Sequence, residues 1–259
     1  MPVTSSLRTV ALPLERGGWS LSLEPVVLGL LVAPSLSGSA LGLATLLVFV
    51  ARTPIKVMLV DWWRHHWRQR SRLAASVAAV ELVAVAVLGA ITITTATEPF
   101  WWPMALAAPL VGVELWHDMR SRSRRLAAEL AGAIGVGSMA AAIALSGGAS
   151  SGVAAGLWLV MGARSVAAMT FVRVQVHRVK DQEHRVWHSD VGQVVAVAIA
   201  AAGLALDFVP VPGMLAITAA ALFDLFMVRR TPVPAVVLGI QQVVLGLLVV
   251  VVTGLAVGQ

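Results

Sequence analysis

Nine apolar stretches, each about 16 to 25 residues long, constrain the fold of this chain more than any other feature of its sequence. A helix needs about 20 predominantly apolar residues to cross the ~30 Å hydrocarbon core of a bilayer. The stretches are residues 18–33, 36–60, 73–93, 100–116, 126–145, 153–175, 191–206, 213–228 and 234–256. They predict an all-α, polytopic transmembrane bundle of about nine helices, in a single multi-pass domain over residues 1–259.

The composition excludes an ordinary soluble protein. Hydrophobic residues make up 58% of the chain and charged residues only 12%, against roughly 45–50% and about 25% in soluble domains. The net charge of +6 would suggest a nucleic-acid partner in a soluble chain, but nucleic-acid binders need a water-soluble basic face. We therefore predict membrane lipids as partners and no nucleic acid. The absence of cysteine excludes disulfides and thiolate chemistry.

The basic residues distinguish two sets of loops. With nine helices, all 19 Lys and Arg residues fall on one side of the membrane or in the helix halves nearest to it. The basic loops are residues 61–72, 117–125, 173–190 and 229–232, and the loops without Lys or Arg are residues 34–35, 94–99, 146–152 and 207–212. Because basic loops stay on the cytoplasmic side, this pattern predicts a cytoplasmic N-terminus and an external C-terminus.

Two arginines lie within the apolar stretches, where an ionisable group is costly and usually functional. Arg52 lies nine residues before Asp61, and Arg164 lies nine residues before Arg173, which places both arginines ~13 Å below the cytoplasmic interface. Ala51-Arg52-Thr53 also matches Ala163-Arg164-Ser165, a short sign of an internal repeat. Lys56 follows Arg52 by one turn on the same helix face.

The acidic residues within the predicted helices lie mainly in the cytoplasmic halves. They are Glu24, Glu81, Glu114, Glu129 and Asp224. Together with the arginines they predict a polar cavity that opens to the cytoplasm. In one interpretation Arg52, Lys56 and Arg164 bind the anionic head group of a phosphorylated lipid, because a guanidinium group binds phosphate well. In the other interpretation, the two arginines form buried ion pairs, and their partners are among Glu24, Glu81 and Asp224.

Several short motifs resemble a known family. The YwiC-like bacterial membrane proteins begin with the pattern Pro-x-x-His-Gly-x-Trp, which is similar to Pro13-Leu14-Glu15-Arg16-Gly17-Gly18-Trp19, followed by Pro25 and Gly29. Arg16 stands in place of the histidine. Two further segments also resemble that family. They are Arg52-Thr53-Pro54-Ile55-Lys56 with Asp61 and Arg64, and Gly162-Ala163-Arg164 with Val172-Arg173. The resemblance implies an integral protein of the bacterial cytoplasmic (inner) membrane and does not indicate which activity it has.

A more distant resemblance is to UbiA-type membrane prenyltransferases. These enzymes have nine helices, a cytoplasmic N-terminus and functional loops after helices 2 and 6, where aspartate-rich motifs hold Mg²⁺ and a polyprenyl diphosphate. Their quinone-pathway members open with Pro-Val-x-x-Gly, which is similar to Leu23-Glu24-Pro25-Val26-Val27-Leu28-Gly29. The resemblance implies a UbiA-like arrangement, Mg²⁺ as cofactor and an isoprenoid diphosphate as ligand.

The same resemblance implies roles for individual residues. Asp61 corresponds to the first aspartate-rich motif and Asp181 to the second, which makes them the candidate catalytic residues. The candidate substrate-binding residues are Arg52, Lys56, Arg64, Arg164, Arg173, Glu24 and Glu81. The sequence thus predicts a protein that binds or transfers a phosphorylated isoprenoid or lipid. The alternatives are a transporter of a small anion or proton, and a non-catalytic partner in a membrane complex.

Overall fold

The computed structural model describes residues 18–65, 69–120 and 125–258. In these residues the chain forms nine α-helices and no β-strand, which confirms the predicted all-helical fold. The helices are α1 (Gly18–Val32), α2 (Leu36–Trp63), α3 (Gln69–Thr95), α4 (Trp101–Met119), α5 (Leu126–Ser146), α6 (Ser151–Val179), α7 (Trp187–Ala205), α8 (Val211–Met227) and α9 (Ala235–Val257). Of the described helices, six are long and apolar enough to span a membrane: α2, α3, α5, α6, α7 and α9.

The helices extend further on the basic side than the apolar pattern predicts. α2 continues to Trp63, α3 begins at Gln69 and α6 continues to Val179. An apolar pattern ends where charged residues begin, but a helix satisfies its own backbone hydrogen bonds and can extend past the bilayer core. Asp61, which we expected at the start of a loop, therefore lies within α2.

Local sequence explains several helix ends. Ser35 and Ser150 cap the N-termini of α2 and α6, since each side chain accepts a hydrogen bond from the backbone amide three residues later, at 2.9 and 3.3 Å. After α5, α6 and α7 the chain turns at a residue with positive φ, namely Gly148, Asp181 and Asp207. Glycine has no Cβ atom to clash in this left-handed conformation, and aspartate tolerates it better than most residues.

α5 and α6 form the centre of the bundle. α5 packs against α1, α2, α4 and α6, and α6 packs against α1, α5, α7, α8 and α9. Residues 140–145 of α5 are buried, and four of them are alanines. Small side chains allow close helix approach inside a membrane. This end of α5, near the loops without Lys or Arg, is therefore packed closely against its neighbours.

Gly156 in α6 supports this packing, because a Cβ atom there would overlap the backbone carbonyl group of Phe208, which follows α7. Overpacking costs about 1–3 kcal/mol. We expect Gly156→Ala to lower the temperature at which the detergent-solubilised protein unfolds. Gly112 in α4 is the matched control, because a Cβ atom there meets nothing within 4 Å. Gly112→Ala should leave the unfolding temperature unchanged or raise it, and similar unfolding temperatures for the two variants would contradict this packing.

Candidate functional site

Arg164 lies in the interior of the bundle, with 2% of the residue exposed. Its Nη1 donates a hydrogen bond to the side-chain oxygen of Gln242 at 2.9 Å, and its Nη2 donates to the Gln242 backbone carbonyl at 2.6 Å. Its Nε lies 3.6 Å from Oε2 of Glu24. Gln242 in turn donates from Nε2 to Oδ1 of Asp224 at 3.0 Å. These four side chains, from α6, α9, α1 and α8, form what we call the buried network.

The buried network contains two carboxylates but one guanidinium group. Glu24 and Asp224 are 2% and 0% exposed. Both side-chain oxygens of Glu24, and Oδ2 of Asp224, have no hydrogen-bond partner in the described part of the chain. A buried charge costs several kcal/mol unless it is paired and hydrogen-bonded. With both carboxyl groups ionised, one negative charge is uncompensated, and a single proton would neutralise it.

The sequence of α9 provides space for this arrangement. Gly246 lies one turn after Gln242, and a Cβ atom at Gly246 would overlap the carboxyl group of Glu24. One face of α9 therefore supplies the amide that binds Arg164 and also the gap that Glu24 occupies. Any side chain larger than hydrogen at position 246 would force the carboxyl group of Glu24 to move.

Arg52 pairs with another acid, Glu114 of α4, with 2.6 Å between Nη2 and Oε1. This pair is less enclosed, since 36% of the Arg52 side chain and 17% of the Glu114 side chain are exposed. The carboxyl group of Glu114 lies against Gly132 of α5, where a Cβ atom would overlap it. The structure thus pairs Arg164 with Glu24, as one interpretation of the sequence predicted, but pairs Arg52 with an acid that this interpretation omitted.

The remaining predicted substrate-binding residues lie on α2, α3 and α6. Arg173 contacts Glu129 of α5 at 3.3 Å, and about a third of each side chain is exposed. Glu81 lies in α3, and its Oε2 is buried without a hydrogen-bond partner in the described residues. Lys56 lies within α2, and Arg64 is the C-cap residue of that helix. Of the predicted substrate-binding residues, Glu24 and Arg164 contact each other.

The two candidate catalytic aspartates lie at helix ends. Asp61 accepts a hydrogen bond from the Ser71 hydroxyl, which links α2 to α3. Asp181 is exposed and adopts a φ of 51° directly after α6. Within the described ranges, no three His, Asp or Glu side chains are grouped so that they could hold a metal ion. These residues therefore offer no three-ligand set for Mg²⁺, which stays a prediction of the resemblance.

Two members of the buried network, Asp224 and Gln242, are absent from the predicted substrate-binding residues. Asp224 was recognisable as an acid within an apolar stretch. The signal for Gln242 was weaker, because it is uncharged. The pair Gln241-Gln242 nevertheless interrupts an otherwise apolar helix, α9, and a polar side chain inside a membrane helix usually has a partner in a neighbouring helix.

The sequence comparisons support the first of the two family resemblances. The family model described as YwiC-like protein matches residues 12–144, which reach from before α1 to near the end of α5. No curated protein and no solved structure matches the chain. The similarity to UbiA-type prenyltransferases therefore stays a prediction from the sequence. Of the opening motif, residues 13–17 lie outside the described residues.

The enclosure of Arg164 can be tested by removing its charge. Arg164→Met would leave two buried carboxylates without a cation, and breaking a buried pair costs about 3–5 kcal/mol. The control is Arg173→Met, which removes the partly exposed contact with Glu129 and should cost about 1 kcal/mol or less. We expect Arg164→Met to lower the unfolding temperature much more than Arg173→Met.

The double variant Arg164→Met/Glu24→Gln should recover part of the stability that Arg164→Met loses, because it removes one of the uncompensated charges. Equal losses in the two arginine variants would show that Arg164 is not enclosed as described.

Proposed function

The chain belongs to the YwiC-like family, and from this premise we propose that this multi-pass membrane protein is a proton transporter whose proton-binding centre is the buried network. The observation that supports the proposal is the enclosure of two carboxyl groups with a single guanidinium group. Ionisable side chains inside membrane bundles commonly form ion pathways and proton relays. A proton that binds to either carboxyl group removes the one uncompensated charge.

Protonation of this network would change how the helices attract each other. Glu24 lies on α1 and Asp224 on α8, and Arg164 on α6 lies near both, through a 3.6 Å contact and through Gln242. A proton on Glu24 weakens the electrostatic attraction between α1 and α6. In a transport cycle a ligand shifts the balance between two conformations only when it binds them with different affinity. The loss of this attraction on protonation would supply such a difference between a conformation that keeps the contact and one that opens it.

Two measurements on protein reconstituted in liposomes test this proposal. An imposed membrane potential should drive proton uptake, followed with a trapped pH-sensitive dye. Infrared difference spectra between two pH values should contain the carbonyl band of a protonated carboxyl group. We expect Glu24→Gln and Asp224→Asn to reduce the uptake to background and to diminish the band, because neither amide can exchange a proton. Glu98→Gln, in the exposed connection before α4, is the control and should match the unmodified protein.

The outcomes separate proton binding from transport. Absence of the carboxyl band in the unmodified protein would overturn the assignment of a proton-binding centre. A normal band without proton uptake would overturn transport.

A second candidate function is the binding or transfer of a phosphorylated isoprenoid or lipid, with the cations of α2 as the head-group site. The supporting observation is that Arg52, one turn before Lys56, has 36% of its side chain exposed. Arg164 lacks this access, because a head group would reach it only if its contacts with Glu24 and Gln242 opened. Saturable binding of geranylgeranyl diphosphate that is lost in Arg52→Ala, without proton uptake, would favour this candidate.

We also infer the orientation of the chain in the bacterial cytoplasmic membrane. The connections that contain Lys or Arg join α2 to α3, α4 to α5, α6 to α7 and α8 to α9, and the other four connections contain none. Because basic connections stay on the cytoplasmic side, α1 begins in the cytoplasm and α9 ends outside.

Single cysteines can test this orientation, since the natural sequence contains none. Glu98→Cys and Lys180→Cys replace exposed residues on opposite sides of the proposed membrane. A membrane-impermeant maleimide should label Glu98→Cys in intact cells, and Lys180→Cys after the membrane is permeabilised. Labelling of Lys180→Cys in intact cells would show that the orientation is reversed.

A further inference from the structure

Helices α2 and α3 correspond in sequence to α6 and α7. Ala51-Arg52-Thr53 in α2 matches Ala163-Arg164-Ser165 in α6. The same offset in numbering aligns residues 81–86 of α3, Glu-Leu-Val-Ala-Val-Ala, with residues 193–198 of α7, Gln-Val-Val-Ala-Val-Ala. Glu81 and Gln193 also share a structural property, because each has one buried side-chain oxygen without a hydrogen-bond partner in the described residues. A single offset thus relates two successive helices.

Helices α4 and α8 correspond in the same way, with a slightly smaller offset. Glu114-Leu115-Trp116 in α4 aligns with Asp224-Leu225-Phe226 in α8. An arginine follows each aromatic residue by four positions and lies over its ring. Cζ of Arg120 is 4.0 Å from the Trp116 ring centroid, and Cζ of Arg230 is 4.4 Å from that of Phe226. Apolar composition does not dictate this shared cation–π contact, so it supports a common architecture.

The packing of the helices repeats in the same order. α2 packs against α3, α4 and α5, and α6 packs against α7, α8 and α9. α4 packs against α5, as α8 does against α9, while α7 also contacts α8. α1 packs against α2 and α5 of one unit and against α6 and α9 of the other. With four membrane crossings in each unit, as the apolar stretches predict, both units would enter the membrane from the same side, as parallel repeats do in transporters.

Each four-helix unit contains one charged centre. The first centre is Arg52, Glu114 and Gly132, and the second centre is Arg164, Asp224 and Gln242. The separation in sequence between Gly132 and Gln242 equals that between Glu114 and Asp224. In the second centre the amide of Gln242 stands between the guanidinium group and the carboxylate. In the first centre the glycine leaves this space to the longer glutamate, which pairs directly with Arg52.

We propose that α2–α5 and α6–α9 are internal repeats with equivalent charged centres, and that Gln242 is the positioning residue that makes the second centre a proton-binding one. The direct pair in the first centre satisfies both charges. In the second centre Gln242 holds the charges apart and leaves Oδ2 of Asp224 without a hydrogen-bond partner in the described residues. The statement about protons rests on the proposed function, whereas the equivalence of the two centres does not.

Exchange of the residues at equivalent positions tests the equivalence by stability alone. Gly132→Gln should lower the unfolding temperature, because its side chain would overlap the carboxyl group of Glu114. Glu114→Asp should also lower it, because aspartate is one methylene too short to reach Arg52. The double variant Glu114→Asp/Gly132→Gln recreates the second centre and should be more stable than either single variant. A double variant less stable than both would overturn the equivalence.

The reciprocal exchange tests the role of Gln242. Asp224→Glu/Gln242→Gly should create a direct pair with Arg164, as in the first centre. We expect this variant to fold with an unfolding temperature above that of Gln242→Gly alone. Its proton uptake should fall to near background, because the direct pair takes the guanidinium charge and the buried carboxyl group of Glu24 then keeps its proton at both pH values. The infrared carboxyl band should diminish with it. If Gln242 had only a structural role, the double variant would lose stability, and its proton uptake would not fall while the protein stays folded.

The two parts of the proposal fail in different ways. Undiminished proton uptake in a folded Asp224→Glu/Gln242→Gly variant would overturn the positioning role of Gln242. Absence of uptake in the unmodified protein would instead overturn the proposed function, and the stability of Glu114→Asp/Gly132→Gln would still decide the equivalence of the centres.

Discussion

The charge of Arg164 is the constraint on which the arrangement of the central helices depends. An arginine side chain stays protonated in proteins, so a guanidinium group that is 2% exposed in a membrane-spanning helix must find acceptors on neighbouring helices. Glu24 supplies one from α1, and Gln242 supplies two from α9 and connects the group to Asp224 on α8. Helices α1, α6, α8 and α9 therefore meet around one side chain. The family match ends at residue 144, so this network joins α1, inside the matched region, to three helices beyond it.

Space matters as much as charge for these contacts. The carboxyl groups of Glu24 and Glu114 both occupy gaps left by glycines, Gly246 on α9 and Gly132 on α5. A helix that carries a buried acid can pack closely against its neighbour only where the neighbour has no side chain. The glycines therefore set which acid reaches which arginine. This explains why the two arginines, although similar in local sequence, have different partners.

The sequence predicted the helices well and the contacts between them only in part. Nine apolar stretches are a strong signal because the bilayer fixes their length and composition, and all nine correspond to helices. The burial of Arg164 follows from its place in such a stretch. Its partners depend on how helices far apart in the chain pack, which hydropathy does not encode. For the same reason the partner of Arg52, which is Glu114 two helices further along the chain, could not be read from the sequence.

Helix α1, which lies outside both proposed repeats, breaks the symmetry between them. α1 packs against corresponding helices of both units, but it contributes its glutamate to the arginine of the second. In the first centre Arg52 contacts the carboxylate of Glu114 directly, while the buried network around Arg164 has one arginine and two carboxylates. Gln242 and Glu24 act in the same direction, since the amide separates an existing pair and the added acid prevents charge balance. Under our proposal, two equivalent positions thus differ in function, one as a structural ion pair and one as a proton-binding centre, through a single amide and a single helix outside the repeats.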